Sequence, residues 1–170
     1  MSAAAGCPAG ALAAPAALGL SAAVCAWSTA PKRYDSLSKC VVACGEGGGV
    51  PACPASAAED AWLVGVGRSG LHWLGRYQSP LATEPTAGWD YCVDGQTHSY
   101  SGFKPYWGGW PSQDDRGGEQ SCAAIGPTPQ GWEDISCVLP TPFRLRDYNP
   151  LPCLCLTGSP GAQWPVDQGQ

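Results

Sequence analysis

The sequence predicts an α+β domain of two short helices, short strands and a long aromatic loop region, stapled by disulfides. Three observations lead there. The 23 glycines and 17 prolines occupy 40 of 170 positions, while Leu, Ile, Val and Phe together number only 26, too few for an ordinary apolar core. The ten cysteines are an even set that can crosslink a loop-rich chain in an oxidising compartment. Finally, two helix-start signals alternate with short apolar runs. The length fits one domain.

The first 30 residues contain 13 alanines, and the stretch from Leu12 to Val24 is weakly apolar and uncharged. A secretory signal would share that apolar middle but would add a basic residue near its start, and Met1 to Ala11 carries none. Cleavage would also discard Cys7 and Cys25. Residues 1–30 are therefore expected to form an Ala-rich, structured lead-in in preference to a signal peptide, with 31–157 as the main body and 158–170 as a loose tail.

Past Pro31, Asp35 or Ser36 caps a first helix whose Leu37, Cys40, Val41 and Cys44 share one side, ended by Gly45 and Gly47 to Gly49. Val50 to Cys53 reads as a short strand weakened by Pro51. Ser56 followed by Glu59 has capping-box spacing and opens a second short helix. The run Trp62 to Val66 is the most strand-like in the chain, and His72 to Leu74 reads as the next strand after the Gly70 turn. Arg76 to Gly118 is a long stretch of turn formers and aromatics. Cys122 to Ile125 resembles a central strand, Gly131 to Val138 a turn entering another, and Leu151 to Leu156 closes the fold.

Charge removes several function classes. Nine basic residues against fourteen acidic ones give a net charge of -5, so no basic stripe exists to carry a nucleic-acid backbone. No run of apolar residues is long enough for membrane insertion. Asn149, the only asparagine, precedes Pro150 and offers no N-glycosylation acceptor.

In order and spacing, these pieces resemble the C-type lectin-like domain over roughly Cys7 to Leu156. The resemblance rests on the first helix ending in a cysteine and glycines (Leu37 to Gly48), the second helix at Ser56 to Ala61, and a Trp-Ile-Gly-Leu-like strand at Leu63 to Val66. It continues with Trp73, the loop holding Trp107 and Pro111, the Glu119 to Cys122 strand, and Trp132, Glu133, Asp134 and Cys137. It implies short antiparallel sheets and the long form with an extra N-terminal disulfide hairpin. By the same likeness Cys7 pairs with Cys25, Cys44 with Cys155, and Cys122 with Cys137. Cys40, Cys53, Cys92 and Cys153 allow three pairings; Cys53–Cys153 with Cys40–Cys92 is adopted on the premise that Cys53 and Cys153 lie on neighbouring terminal strands. A crosslink closing a loop of about a hundred residues contributes roughly 4–5 kcal/mol in the chain-entropy model.

In calcium-dependent relatives, the resemblance implies ligands from a loop tripeptide with a central, often cis, proline and from the Trp-Asn-Asp strand. Here the tripeptide reads Trp110, Pro111, Ser112. Trp110 brings no oxygen and Ser112 only a neutral hydroxyl, whereas calcium takes six to eight oxygens. Glu133 replaces the amide, Asp134 remains, and Glu119 stands one residue early because Gln120 fills its place. The usual sugar-binding site is therefore expected to be altered. A displaced calcium site would draw on Asp134, Glu133, Glu119 and Asp115; the plain alternative is that Asp114, Asp115 and Arg116 form a solvated loop tip.

Trp62, Trp73, Trp107 and Trp132 fall on core positions of the family. Trp89, Tyr91, Tyr100, Phe103, Tyr106 and Trp110 lie in the loop, where they either contact a ligand or pack together as a satellite core. The candidate ligand-binding set is Trp110, Ser112, Trp89, Tyr106, Glu133 and Asp134. No nucleophile elbow surrounds Ser69, Ser99 or Ser101, Gly45 to Gly49 lacks a phosphate-loop lysine, and neither His72 nor His98 is placed as a base, so no catalysis and no resident cofactor are expected. Zinc at Cys40, Cys44, Cys153 and Cys155 is disfavoured by their spacing.

The expected role is extracellular or cell-surface recognition of a glycan or protein through the long loop. The alternatives are a calcium-dependent carbohydrate-binding lectin with a modified site, and a structural module of a matrix or cell-surface protein; self-association or a larger multidomain parent is compatible with each.

Overall fold

The computed structural model describes residues 7–20, 24–68, 70–79, 81–82, 87–103, 121–126, 131–138 and 150–157. Their elements in order are β1 (Leu12–Ala13), a 3-10 turn (Ala16–Leu18), β2 (Cys25–Ser28), α1 (Leu37–Glu46), β3 (Gly49–Pro51), α2 (Ala57–Gly67), β4 (His72–Tyr77), β5 (Tyr91–Cys92), β6 (Cys122–Ile125), β7 (Trp132–Ile135) and β8 (Leu154–Thr157). They form two antiparallel sheets, ordered β1-β2-β8-β3 and β5-β4-β6-β7. This is a C-type lectin-like architecture.

Both helices start where their side chains supply backbone acceptors. Ser36 Oγ accepts from Lys39 N at 3.4 Å, so Ser36 is the cap, while the alternative, Asp35, pairs with Lys39 Nζ at 2.8 Å. Ser56 Oγ accepts from Glu59 N at 3.2 Å, and Glu59 Oε2 reaches back to Ala55 N at 2.9 Å. That second start propagates further than the sequence suggests. Trp62 to Val66, expected as a strand, lies inside α2, because Leu63 and Val66 sit one turn apart and both enter the core. The strand that the likeness placed there is not present at 63–66; the next strand is β4, which holds Trp73, Leu74 and Gly75.

Disulfides tie the layers together. Cys7–Cys25 closes the N-terminal hairpin, Cys44–Cys155 joins α1 to β8, and Cys122–Cys137 clamps β6 to the segment after β7. The other two differ from the pairing adopted above: Cys40 bonds Cys153 and Cys53 bonds Cys92. The premise holds only in part: β3 pairs with β8, but Cys53 lies two residues past the end of β3 and Cys153 just before β8. Side-chain direction decides otherwise. Cys40 and Cys44 occupy one helix face a turn apart, and Cys153 and Cys155 alternate onto the same side of their strand, so both pairs meet. Cys53 is drawn to the second sheet, because Gly75 N donates to Ala52 O (2.7 Å) and Val93 N donates to Gly75 O (2.8 Å). This rung lays Cys53 beside Cys92. Any side chain at Gly75 would strike Pro51 O and the Val93 methyl.

The small core falls into two clusters. One gathers Leu37, Trp73, Val93 and Ile135 around the cysteines, and the other Leu63, Leu74, Ile125, Trp132 and Leu154. Trp73 fastens the sheets: its backbone bridges Cys153 and its Nε1 donates to Tyr34 O at 2.9 Å.

His72 is buried at the start of β4. Gly70 O can only accept, so Nδ1 carries the proton and donates to it (3.2 Å), leaving Nε2 to accept from Ser28 Oγ (2.8 Å). Burial, first of all, pushes the imidazole below its ordinary 6.5; the Gly70 bond opposes this and nearby Arg33 adds to it. The unfolded chain therefore binds the proton first, and stability is complete above pH 6.5 and falls as the pH drops below it. Denaturation midpoints measured from neutral to mildly acidic pH should decline in the native chain and lose that part of their slope in His72→Gln. Identical slopes would contradict this account.

Candidate functional site: the anchored base of the long loop

The stretch expected to be loop from Arg76 onward is partly strand. Arg76 and Tyr77 belong to β4, opposite Cys92 and Tyr91 of β5. Arg76 is fully buried and makes no ion pair among the described residues. Its Nη1 donates to Trp89 O (2.9 Å) and His98 O (2.7 Å), and its Nη2 to Pro54 O (2.9 Å) and Tyr100 O (3.1 Å). The guanidinium carbon lies 5.1 Å from the centre of the Trp132 ring, a cation–π distance. Burial lowers its pKa, against the raising charges of Asp90 and Asp94, yet a guanidinium stays protonated.

Asp60, buried in the first turn of α2, completes the anchor. Its Oδ1 accepts from Trp132 Nε1 at 2.6 Å and its Oδ2 from the Tyr100 hydroxyl at 3.1 Å. Around this pair the rings pack edge to face: Trp89 with Phe103 (4.7 Å between centres), Phe103 with Trp132 (5.4 Å) and Tyr100 with Trp132 (5.6 Å). Gly102 allows that closeness, since a methyl there would strike the Trp132 indole. Trp132 N also donates to Gly102 O at 3.1 Å.

Three of the loop aromatics thus form a satellite core. Trp89, expected in the ligand-binding set, is only 5 % exposed and packs against Phe103 as part of this satellite core. Tyr91 is different: it is 40 % exposed and lies against Tyr77 at 5.8 Å. Trp73 and Trp132 are core as expected, and Trp62 is half-buried against the second cluster.

Glu133 and Asp134 stand on β7 opposite Ala124 and Ala123. Both are buried and both have interaction partners. Strand alternation turns them to opposite faces, Asp134 with Trp132 and Glu133 with Ile135. Among the described residues, no three His, Cys, Asp or Glu side chains converge as a metal site. Trp110, Ser112, Tyr106, Glu119 and Asp115, with Pro111 and Trp107, lie outside the described residues.

Sequence reasoning missed Arg76 and Asp60. The available signal was a lone cation inside the apolar run His72 to Tyr77, in a chain with only nine basic residues.

With fold and site in place, comparison with known proteins is informative about the fold. No family model and no curated protein sequence matches the chain. Solved structures do match. The mouse scavenger receptor C-type lectin carbohydrate-recognition domain aligns at 18 % identity and a TM-score of 0.61, covering 88 % of this chain and 94 % of that one. A Ca2+-dependent type II antifreeze protein in its Ca2+-free form aligns at 14 % identity and a TM-score of 0.62, covering 88 % and 98 %. A calcium-independent type II antifreeze protein aligns at 18 % identity and a TM-score of 0.61, covering 88 % and 92 %. Identities this low establish a shared fold.

The Asp60 anchor has a titration signature. Burial, then the charge of Asp60 and the bond to it, outweigh the opposing charge of Arg76 and push the Tyr100 phenol up from 10.0 to about 12. Its contribution to stability is present below pH 10 and is lost as the pH rises from there toward 12. Tyrosinate absorbance during alkaline titration should show a late step that Tyr100→Phe removes. Burial and then Tyr91 also raise the Tyr77 phenol, so the refuting result is a variant that titrates as many late tyrosines as the native chain.

Proposed function

We propose that this chain is an extracellular recognition domain that binds a glycan or a protein through its long loop, without the usual sugar-coordinating calcium. The observation that carries this reading is the anchored loop base. Two buried charged side chains, Arg76 and Asp60, are committed to holding residues 87–103 against the second sheet, through the Trp89, His98 and Tyr100 carbonyls and the Tyr100 hydroxyl, with Pro54 O as the fourth acceptor of Arg76. A rigid platform beneath a variable loop is how recognition loops are commonly built. The fold is shared with a carbohydrate-recognition domain and with antifreeze proteins described as Ca2+-dependent and as calcium-independent, which supports a reading without obligatory calcium. Five disulfides fit an oxidising, extracellular setting, and among the described residues no helix is long and apolar enough to cross a membrane.

Within this reading Trp110 is the principal contact, flanked by Ser112 and Tyr106. It replaces an oxygen ligand with a large apolar ring of the kind that stacks on sugars or anchors protein interfaces. The chemistry is non-covalent, and no catalytic step is assigned. Asp134, Glu133, Glu119 and Asp115 are the residues that a modified calcium site would use.

Glycan-array and extracellular-protein binding, each with calcium and with chelator, tests the proposal. Retention should be unchanged by chelation, and Trp110→Ala should weaken it by roughly tenfold or more. Loss on chelation would favour the calcium-dependent lectin, and Trp110→Ala leaving every partner unaffected would favour a structural module.

A further inference from the structure

A guanidinium has four terminal hydrogens, and in Arg76 each meets a different backbone carbonyl. Three of those carbonyls, at Trp89, His98 and Tyr100, come from the segment that begins the long loop; the fourth, Pro54, precedes α2. The remaining Nε hydrogen is buried and has no partner, so the arrangement is fitted to the fork and leaves the stem unsatisfied. Carbonyl oxygens converging on a buried positive charge, with no carboxylate in contact among the described residues, make up a type of oxygen set that a hard metal ion would also take. Here the charge belongs to the chain itself. It can be neither chelated nor, at any physiological pH, deprotonated.

We infer that Arg76 is a built-in cation that positions the base of the long loop, so that the order of residues 87–103 is independent of bound metal. The aromatic packing around Trp132 alone would not achieve this. The Trp89 carbonyl bond is buried and those of His98 and Tyr100 are part-buried, so without the donor the first carries a full desolvation cost and the other two a smaller one. A neutral, shorter side chain such as methionine, which keeps the apolar stem and removes the donors, would therefore leave the rings in place and release the backbone. Arg76 is a positioning residue that deepens the proposed function, and it rests on that reading only for its significance, because its test needs no ligand.

Amide hydrogen exchange reads the effect directly. In Arg76→Met, the amides of Cys92, His98 and Trp132, whose acceptors are Gln96, Asp90 and Gly102, should exchange roughly 10–100-fold faster. Amides of α1 and β8 should be unchanged. In Arg76→Ala, added methylguanidinium should restore protection where its neutral analogue urea does not. The native chain should exchange identically with calcium and with chelator, a measurement that requires no variant to fold.

The inference is overturned if Arg76→Met exchanges like the native chain, if methylguanidinium does no better than urea, or if chelation alone accelerates exchange in the native chain. Chelator-sensitive ligand binding with chelator-insensitive exchange would instead sink only the calcium-free reading of binding.

Discussion

The double crosslink between α1 and β8 is the constraint on which the rest of the molecule depends. Cys40–Cys153 and Cys44–Cys155 join positions 113 and 111 residues apart. Either bond alone closes most of the chain and contributes roughly 4–5 kcal/mol in the loop-entropy model. The second, made after the first, closes only a small ring and adds little entropy. Its effect is geometric: a single bond is a pivot, and two bonds a helical turn apart fix the rotation of α1 over the strand. Leu37 on the same face of the helix is then held in the core.

From β8 the order spreads outward. It pairs with β2 on one side and β3 on the other, and Cys153 bridges to Trp73 of β4. Three positions further along β4, within a stretch where its register against β6 shifts, stands Arg76, whose guanidinium meets the loop carbonyls. Cys53–Cys92 reinforces that link from the opposite side, joining the end of β3 to β5. The staple and the candidate binding region therefore belong to one mechanical path, running from covalent bonds through a strand to a buried cation. A core with few aliphatic residues can tolerate an isolated charge of this kind because carbonyl dipoles and the Trp132 face stand in for lost water.

Much of this was legible from residue order. The caps at Ser36 and Ser56, the buried side of α1 and the strands around Cys122, Trp132 and Cys155 all follow local rules. Trp62 to Val66 misleads because a five-residue apolar run fits a strand or a buried helix turn equally, and only the preceding cap and the packing of Leu63 and Val66 decide. The four remaining cysteines could be placed on neighbouring elements but not oriented, since side-chain direction depends on a sheet not yet assembled. Trp89 looks like an exposed loop aromatic and is in fact 5 % exposed, packed on Phe103. Arg76 was legible only as a lone cation in an apolar run; its role was not, because its partners are backbone carbonyls, which carry no residue signature.

The most direct test of the central claim is near-UV circular dichroism of the native chain before and after reduction and alkylation in non-denaturing buffer. If crosslinks compensate for a sparse apolar interior, the aromatic signal from the Trp132 cluster collapses once the bonds are cut. A reduced, alkylated chain that kept its full signal and still melted cooperatively would show that side-chain packing alone sustains the fold.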